Sequence, residues 1–181
     1  MSTLRITRDA LERRPVRPIQ STFFNSIQVN LEYREAGEPG TALPGLPWAV
    51  MEATGAQSAG LSLLDGAGGV CWSAVSGRWA ANAGRHFSLR DLPCSAAMDA
   101  GELLLLLAPA SAYPALASLS PGIAEGMYAP VVREGRVAGV LWALAHDTRL
   151  QFDSQDAFML AELAAMTGRL RWDRSVAGHQ G

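Results

Sequence analysis

The sequence contains no lysine, only two cysteines and three histidines, and no strong excess of either charge. Its 15 basic residues are all arginines, scattered along the chain against 17 acidic residues, and the net charge is −2. Such a chain lacks the clustered positive charge that nucleic-acid binding needs. Two cysteines do not make a disulfide framework, and they suit a reducing compartment. We therefore expect a cytoplasmic protein that does not bind nucleic acid.

Long hydrophobic segments are also missing. The longest uninterrupted apolar run covers residues 103–109, far fewer than the roughly 20 residues of a transmembrane helix. The first residues are not followed by the apolar segment that is typical of a signal peptide. We therefore expect no association with a membrane.

The chain has enough apolar sequence for a globular core. Of its 181 residues, 49% are hydrophobic and 18% are charged, which is typical of one domain with extensions. Residues 1–40 predict an N-terminal arm and linker, in which the segment 23–33 fits a strand or a helix. We place the domain at residues 41–172 and predict a flexible tail over 173–181.

The clearest local pattern is a β-hairpin within residues 125–147. Two apolar, β-branched runs flank a charged turn that contains Gly135, and glycine provides the positive φ that a tight hairpin turn needs. The second run is apolar on both alternating faces, with Val140, Trp142 and Leu144 on one and Leu141, Ala143 and Ala145 on the other. An antiparallel strand with one solvent-facing side would alternate with polar residues. This strand is therefore predicted to be central, with layers packed on both sides.

The remaining elements follow from shorter signals. Pro47 and Gly55 delimit a predicted helix over 48–54. Strands are predicted over 59–65, 70–75 and 103–107, short helical segments over 94–100 and 113–119, and a long loop over 77–92. A C-terminal helix over 153–172 begins at Asp153, a natural N-cap. Its apolar seam, formed by Met159, Leu163, Met166 and Leu170, has the spacing of a helix interface.

Several short motifs occur together in order. They are AQSAGLSLLD at 56–65, LPC at 92–94, YP at 113–114, IAEGMYAP at 123–130 and AGVLWALAHD at 138–147, followed by Arg149, Phe152, Asp153 and Asp156. With this set the chain resembles a GAF domain, the small-molecule sensing module of bacterial signalling proteins. It is most similar to the GAF domains attached to proteobacterial sensor histidine kinases. Ser95 departs from the pattern, because glycine is usual there.

The resemblance implies an α+β sandwich, in which a central antiparallel sheet of five or six strands carries helices on both faces. It also implies a small-molecule pocket between the sheet and the long loops, and a homodimer formed through the 153–172 helix. We expect no kinase module after that helix, so the signal is expected to pass through the dimer or to a signalling kinase or other protein partner. The leading hypothesis is a non-enzymatic sensory or regulatory module.

The pocket is expected beside the central hairpin, the strand at Trp72 and the loop 79–94. The candidate ligand-binding residues are Trp72, Trp79, Arg85, His86, Cys94, Tyr113, Tyr128 and Trp142. Arg85, His86 and Arg90 would supply polar or anion-binding contacts, whereas the aromatic residues would either line the pocket or form plain core. The sequence does not identify the ligand or any cofactor.

Two alternatives remain open. One is a small redox enzyme acting at Cys94, whose position near a helix N-terminus can lower a thiol pKa. Methionine sulfoxide reductases of GAF fold carry a cysteine where this chain has residues 118–122, which contain none, and Cys71 has the pattern of a small buried hydrophobe. The other is an interaction scaffold without a ligand.

Prosthetic groups and metals have little support. Some GAF domains hold a covalently bound bilin, and the resemblance would then require a Cys-His pair. The chain has no such pair. Haem would have to bind through His86. His146 is expected to form a structural pair with Asp147, and the histidines that remain, without a cysteine cluster, predict no zinc site.

Overall fold

The computed structural model of the chain describes residues 4–17 and 45–170. The linker with its undecided segment 23–33, the end of the predicted C-terminal helix at Trp172 and the tail 173–181 lie outside the described residues. Within the described part, no helix is long and apolar enough to cross a lipid bilayer.

One antiparallel sheet organises the described residues. Its seven strands are β1 (Leu4–Ile6), β2 (Ser58–Leu64), β3 (Gly69–Gly77), β4 (His86–Ser88), β5 (Leu104–Leu107), β6 (Glu125–Arg133) and β7 (Arg136–Ala145). They lie in the order β1-β5-β6-β7-β2-β3-β4. The five α-helices are α1 (Arg8–Glu12), α2 (Leu46–Thr54), α3 (Cys94–Ala100), α4 (Pro114–Ala117) and α5 (Ser154–Arg169). Three 3₁₀ turns add Ala80–Asn82, Leu89–Asp91 and Pro109–Ser111.

The α+β architecture agrees with the prediction, but the sheet has seven strands where five or six were expected. The additional strands are the two edges, β1 and β4, each only three residues long. A run of three residues is too short to show an alternating pattern in the sequence. The prediction that residues 77–92 form a loop was therefore wrong at β4, which pairs with β3.

Strand β7 occupies the centre of the sheet, between β6 and β2. Its two sets of apolar side chains enter different hydrophobic clusters, one on each face of the sheet. The β6–β7 turn uses Glu134 and Gly135, with φ angles of 52° and 75°, and two consecutive positive φ angles are the mark of a type I′ hairpin turn. Both features confirm the predicted central hairpin.

Helices α1, α2 and α5 cover one face of the sheet, which we call the helical face. Helix α5 begins with a capping box between Asp153 and Asp156, in which each side chain accepts a hydrogen bond from the other's backbone N–H. The predicted seam of α5 faces this sheet: Met159, Leu163, Met166 and Leu170 are only 5%, 0%, 8% and 4% exposed. The prediction that these four residues form a dimer interface was therefore wrong, because they form the protein's own core.

The N-terminal residues 4–17 lie against the same body. Strand β1 pairs with β5, and the Arg14 guanidinium donates two hydrogen bonds to the buried Glu125 carboxylate, at 2.9 and 3.0 Å. Arg17 binds the carboxylates of Asp153 and Asp156 at the start of α5. Charged groups are expensive to bury unless they are paired, so these pairs fix the arm against the domain.

The opposite face, which we call the cavity face, carries only short elements. Its cover consists of α3, α4 and the three 3₁₀ turns, and its longest helix, α3, has seven residues. On the helical face, α5 alone has 16. Side chains from the sheet and the cover form a second hydrophobic cluster, and the predicted ligand pocket falls within it.

Candidate functional site

Three tryptophans from different segments meet on the cavity face. Trp72 lies on β3 and Trp142 lies on β7. Trp79 comes after β3 and immediately before the 3₁₀ turn Ala80–Asn82. The ring centroid of Trp72 is 5.6 Å from that of Trp79 and 5.1 Å from that of Trp142. Aromatic pairs attract at such distances, so the three rings form one continuous aromatic wall.

Two glycines let aromatic rings lie close to the sheet. A Cβ atom on Gly60 of β2 would lie 2.1 Å from the Trp142 ring, and one on Gly126 of β6 would lie 2.4 Å from the Tyr128 hydroxyl. Real Cβ contacts are not that short. Glycine at these two positions is therefore required by where Trp142 and Tyr128 lie.

A small cavity remains between these rings and the cover. Its lining is formed by Trp72, Trp79, Leu92, Pro93, Cys94, Leu116, Ile123, Tyr128, Trp142 and Leu144. The empty space between these residues measures about 220 Å³ when the open solvent at its mouth is included. The cavity volume that a water molecule can enter is only about 10 Å³. That is about the smallest volume that accommodates one water. The ligand-sized cavity expected from the sequence is therefore not open in this structure.

Most polar atoms around the cavity have partners. The indole N–H of Trp142 donates to Ser62 Oγ at 3.0 Å, and the Cys94 thiol donates to the same oxygen at 3.6 Å. The indole N–H of Trp79 donates to the Pro121 carbonyl at 2.9 Å. The two bonds to Ser62 join β2, β7 and α3, and the third joins Trp79 to the segment before β6.

Two polar atoms at the cavity have no partner among the described residues. They are the Trp72 Nε1–H and the Tyr128 hydroxyl. Trp72 is 2% exposed and Tyr128 is 3% exposed. Burial raises the pKa of Tyr128 well above its ordinary value, so its hydroxyl is neutral and can donate or accept. An unpaired buried polar group typically costs about 1–3 kcal/mol, so each of these two atoms carries a cost that a hydrogen-bonding partner would remove.

Cys94 does not have the chemistry that was considered for it. It is 2% exposed, and burial raises the pKa of its thiol to about 11, against a smaller lowering effect of the Ser62 hydrogen bond. Cys71 is also buried, as predicted, and burial raises the pKa of its thiol as well. The thiolate is the nucleophilic form of cysteine. Burial therefore opposes the lowered thiol pKa that a position near a helix N-terminus could have given Cys94.

The structure brings five of the eight predicted site residues to the cavity: Trp72, Trp79, Cys94, Tyr128 and Trp142. The other three do not line it. Arg85 is exposed and bound to Asn82 Oδ1, His86 is exposed on the edge strand β4, and Tyr113 packs half-buried at the cluster margin. Arg90 is exposed too. The predicted anion-binding contacts are therefore absent from the lining.

His146 has different partners from those predicted. Its Nδ1 is 2.7 Å from the Gly122 carbonyl and its Nε2 is 2.7 Å from Ser58 Oγ. A carbonyl only accepts, so Nδ1 carries the proton and Nε2 accepts from the serine hydroxyl. Asp147 instead pairs with Arg149 and Gln57. Partial burial is the main cause that lowers the His146 pKa, which favours this neutral ring.

Sequence reasoning missed the apolar part of the lining and one polar residue. The missed lining residues are Leu92, Pro93, Leu116, Ile123 and Leu144. Leu144 was assigned to the same strand face as Trp142, so the alternation in β7 contained the signal for it. The sequence signal for Ser62 was weaker. Ser62 lies between two leucines in a predicted strand, and a hydroxyl buried there must find a hydrogen-bond partner. Among residues 4–17 and 45–170, no group of three metal-binding side chains is placed to hold an ion.

Solved structures match this architecture, although no protein-family model matches the chain and no curated protein matches it in sequence. One is the free methionine-R-sulfoxide reductase of Neisseria meningitidis in complex with its substrate, with 22% identity and a TM-score of 0.67 over 90% of this chain and 95% of that one. Another is the GAF domain of an Acinetobacter phosphoenolpyruvate-protein phosphotransferase, with 17% identity and a TM-score of 0.67 over 83% and 92%. A third is the chromophore-binding domain of Stigmatella aurantiaca phytochrome P1, with 15% identity and a TM-score of 0.61 over 86% and 63%.

At these identities the likeness shows the fold, and the chain has a GAF-like α+β fold as its motifs predicted. The similar structures include a reductase, a domain of a phosphotransferase and a domain that binds a chromophore. A shared fold does not define a shared function. The function must therefore be argued from the cavity face itself.

Proposed function

We propose that this chain is a sensory or regulatory module that binds a small molecule on its cavity face and catalyses no reaction there. The observation that carries the proposal is the pair of unpartnered buried polar atoms, Trp72 Nε1–H and Tyr128 Oη. A core that only has to pack would pair or avoid such groups. A ligand that accepted a hydrogen bond from the indole would remove this cost when it bound.

The cover is the part of the fold that can admit a ligand. The cavity of about 10 Å³ is too small for a metabolite, so binding requires the cover to move away from the sheet. Its helices have seven and four residues, and short elements with few buried contacts open at a lower free-energy cost than long packed helices. The helical face, with α5 across the centre of the sheet, would stay in place.

A redox enzyme is the second candidate, supported by the likeness to the reductase from Neisseria. It would need a reactive thiol on the cavity face, and Cys94 is the cysteine that lines the cavity. Its thiol is buried and has a pKa of about 11, which leaves little thiolate near neutral pH. This observation favours the binding module over the enzyme.

The proposed output is a contact made by helix α5 of two copies of this chain, or by α5 and a signalling kinase in the bacterial cytoplasm. The sensor-kinase resemblance of the motifs supports this partner class. Because the predicted seam is buried, the contact would use the opposite side of α5. Phe158 is 60% exposed there, and the exposed residues Ala161 and Ala165 continue its line along the helix.

Native mass spectrometry of freshly purified protein tests the binding function. We expect a population heavier than the polypeptide by the mass of one small molecule, which disappears when the protein is denatured and refolded. The matched control is Tyr128→Phe, which keeps the ring and removes the unpartnered hydroxyl, and we expect it to retain less of the molecule. A bare polypeptide mass from several growth conditions, with no change in unfolding temperature on adding cell metabolites, would contradict the proposal.

A further inference from the structure

We propose that the cavity face takes an uncharged, mainly apolar small molecule with one hydrogen-bond acceptor, which binds the Trp72 indole N–H. This inference rests on the proposed binding function and narrows the ligand class. It comes from two lining residues, of which one has an unpaired donor and the other an unpaired hydroxyl, and from a lining without any charged side chain.

The direction of the hydrogen bond is fixed by the indole. A tryptophan Nε1–H only donates, so whatever satisfies Trp72 must offer an acceptor atom. The other two indoles at the cavity are already committed, Trp142 to Ser62 Oγ and Trp79 to the Pro121 carbonyl. Tyr128 contributes a neutral hydroxyl that can donate to the same molecule or accept from it.

The absence of charge from the lining disfavours the binding of an anionic or cationic ligand. All ten lining residues are uncharged, and the Cys94 thiol stays protonated. The arginine and histidine that the sequence offered as anion contacts lie elsewhere: Arg85 binds Asn82 and stacks on Phe87, with 5.0 Å from its guanidinium carbon to the ring centroid, and His86 is exposed beside Asp65. A buried ionic ligand would therefore lose its hydration without gaining a counter-charge.

The shape of the walls favours a flat apolar body. The Trp142 ring lies across Gly60 and the Tyr128 ring lies over Gly126. With Trp72, they make three of the four strand residues in the lining aromatic, and Leu144 is the fourth. Leu116 and Ile123 supply the apolar surface of the cover. Rings stack on rings and on aliphatic groups without a preference for polar substituents, so the single acceptor would set the ligand's orientation.

Three compounds of similar size separate the relevant properties: acetophenone has an acceptor and no charge, ethylbenzene has neither, and benzoate has a charge. The readout is the indole N–H region of a proton–nitrogen NMR spectrum, in which the five tryptophans give one signal each. Trp72→Phe identifies the Trp72 signal by its loss, and the signal of the exposed Trp48, on helix α2 of the opposite face, serves as an internal reference.

We expect acetophenone to shift the Trp72 indole proton downfield in a saturable way, because a new hydrogen bond deshields it. Ethylbenzene should perturb neighbouring signals without that downfield shift, and benzoate should bind at least about tenfold more weakly than acetophenone. In Trp72→Phe, acetophenone affinity should fall roughly two- to tenfold, the range for one neutral hydrogen bond. Ethylbenzene also contacts the ring that Trp72→Phe makes smaller, so its affinity should fall too, but by less than that of acetophenone because it has no acceptor to lose.

The wild-type titrations stand even if a variant fails to fold, and their outcomes separate the two proposals. Benzoate binding as tightly as acetophenone would overturn the ligand class and leave the binding function intact. Equal binding of acetophenone and ethylbenzene, with no special shift at Trp72, would overturn the acceptor role. If no compound gave a response and magnetisation passed from a long-lived water to the Trp72 N–H, both the binding function and the ligand class would be overturned. One buried water would then accept the hydrogen bond of the Trp72 indole.

Discussion

Replacing Gly168 by alanine should destabilise the protein, although the same change stabilises most helices. Gly168 lies in the last turns of α5, where helix propensity alone favours alanine by about 1 kcal/mol. However, a Cβ atom at this position would lie 2.0 Å from the carbonyl oxygen of Val132 on β6. Ordinary contacts begin at 3.4 Å, so the helix or the strand would have to move by about 1.4 Å.

That movement is opposed by everything packed around it. Helix α5 is held on the sheet by Leu163, Met166 and Leu170, all in the core, and the obstacle is a backbone atom next to a register shift in β6. Inserting one methyl group into a well-packed site costs typically about 1–3 kcal/mol, and a rigid backbone obstacle belongs at the upper end. After the propensity gain, we expect a net loss of about 2 kcal/mol in the free energy of unfolding.

Thermal and urea unfolding followed by circular dichroism would measure this loss. For a protein of this length, about 2 kcal/mol corresponds to a decrease in Tm of roughly 4–8 °C. The matched control is Ala165→Gly on the exposed side of α5, which removes a methyl group without changing a core contact and should cost only about 1 kcal/mol. A Gly168→Ala protein that is more stable than the wild type would refute the close helix-to-strand contact.

Four further outcomes are expected. Arg14→Ala should lower the free energy of unfolding by about 3–5 kcal/mol because it leaves the buried Glu125 carboxylate unpaired, and a double-mutant cycle with Glu125→Gln should show strong coupling; additive effects would contradict the pair. Cys94 should react with a thiol reagent no faster than the protein unfolds, so rapid labelling in native buffer would be inconsistent with its burial. The His146 pKa is lowered on folding, so the unfolded chain binds more protons, and the free energy of unfolding should decrease as pH falls below about 6.5. His146→Gln should flatten that pH dependence. An unchanged pH profile in the variant would show that other groups cause the dependence. Phe158→Glu should dissociate a homodimer in light scattering while Leu163→Glu prevents folding, and a wild-type monomer at tens of micromolar would rule the dimer out.

The sequence predicted the centre of the fold well because the centre is where local and long-range signals agree. The β7 strand is apolar on both faces, and only a covered central strand can satisfy that pattern. The Gly135 turn then fixes its partner. The edge strands β1 and β4 were missed because three residues carry no period, and their pairing depends on contacts from distant segments, such as Leu4 with Leu107.

The seam of α5 shows that an apolar helix face can be predicted correctly while the surface that it packs against is predicted wrongly. Met159, Leu163, Met166 and Leu170 do form one apolar face, as their spacing predicts. The same spacing serves a sheet beneath the helix or a helix in another copy, and the pattern does not distinguish the two. Only the position of the sheet shows that this face is already occupied, which leaves Phe158 on the exposed side.

The candidate site was predictable in its aromatic residues and unpredictable in its charge. Trp72, Tyr128 and Trp142 lie on strands whose alternation puts them on one face, so their meeting follows from the hairpin register. Arg85 and His86 were assigned to a loop over the pocket, but the pairing of β4 with β3 turns them to the exposed edge. A three-residue pairing thus decides whether the pocket is charged.

The unpaired atoms on the cavity face carry more weight than the number of its aromatic rings. A plain hydrophobic core has no use for a tryptophan unless its N–H finds an acceptor, and this fold provides one for Trp142 at Ser62 and one for Trp79 at Pro121. The same segments provide none for Trp72, although a serine or a carbonyl within reach would have been enough. Proteins depart from such local rules mainly at functional sites. The exception at Trp72, like the unpaired hydroxyl of Tyr128, is therefore better explained by a binding partner than by packing. The indole titration tests that explanation at the Trp72 N–H itself.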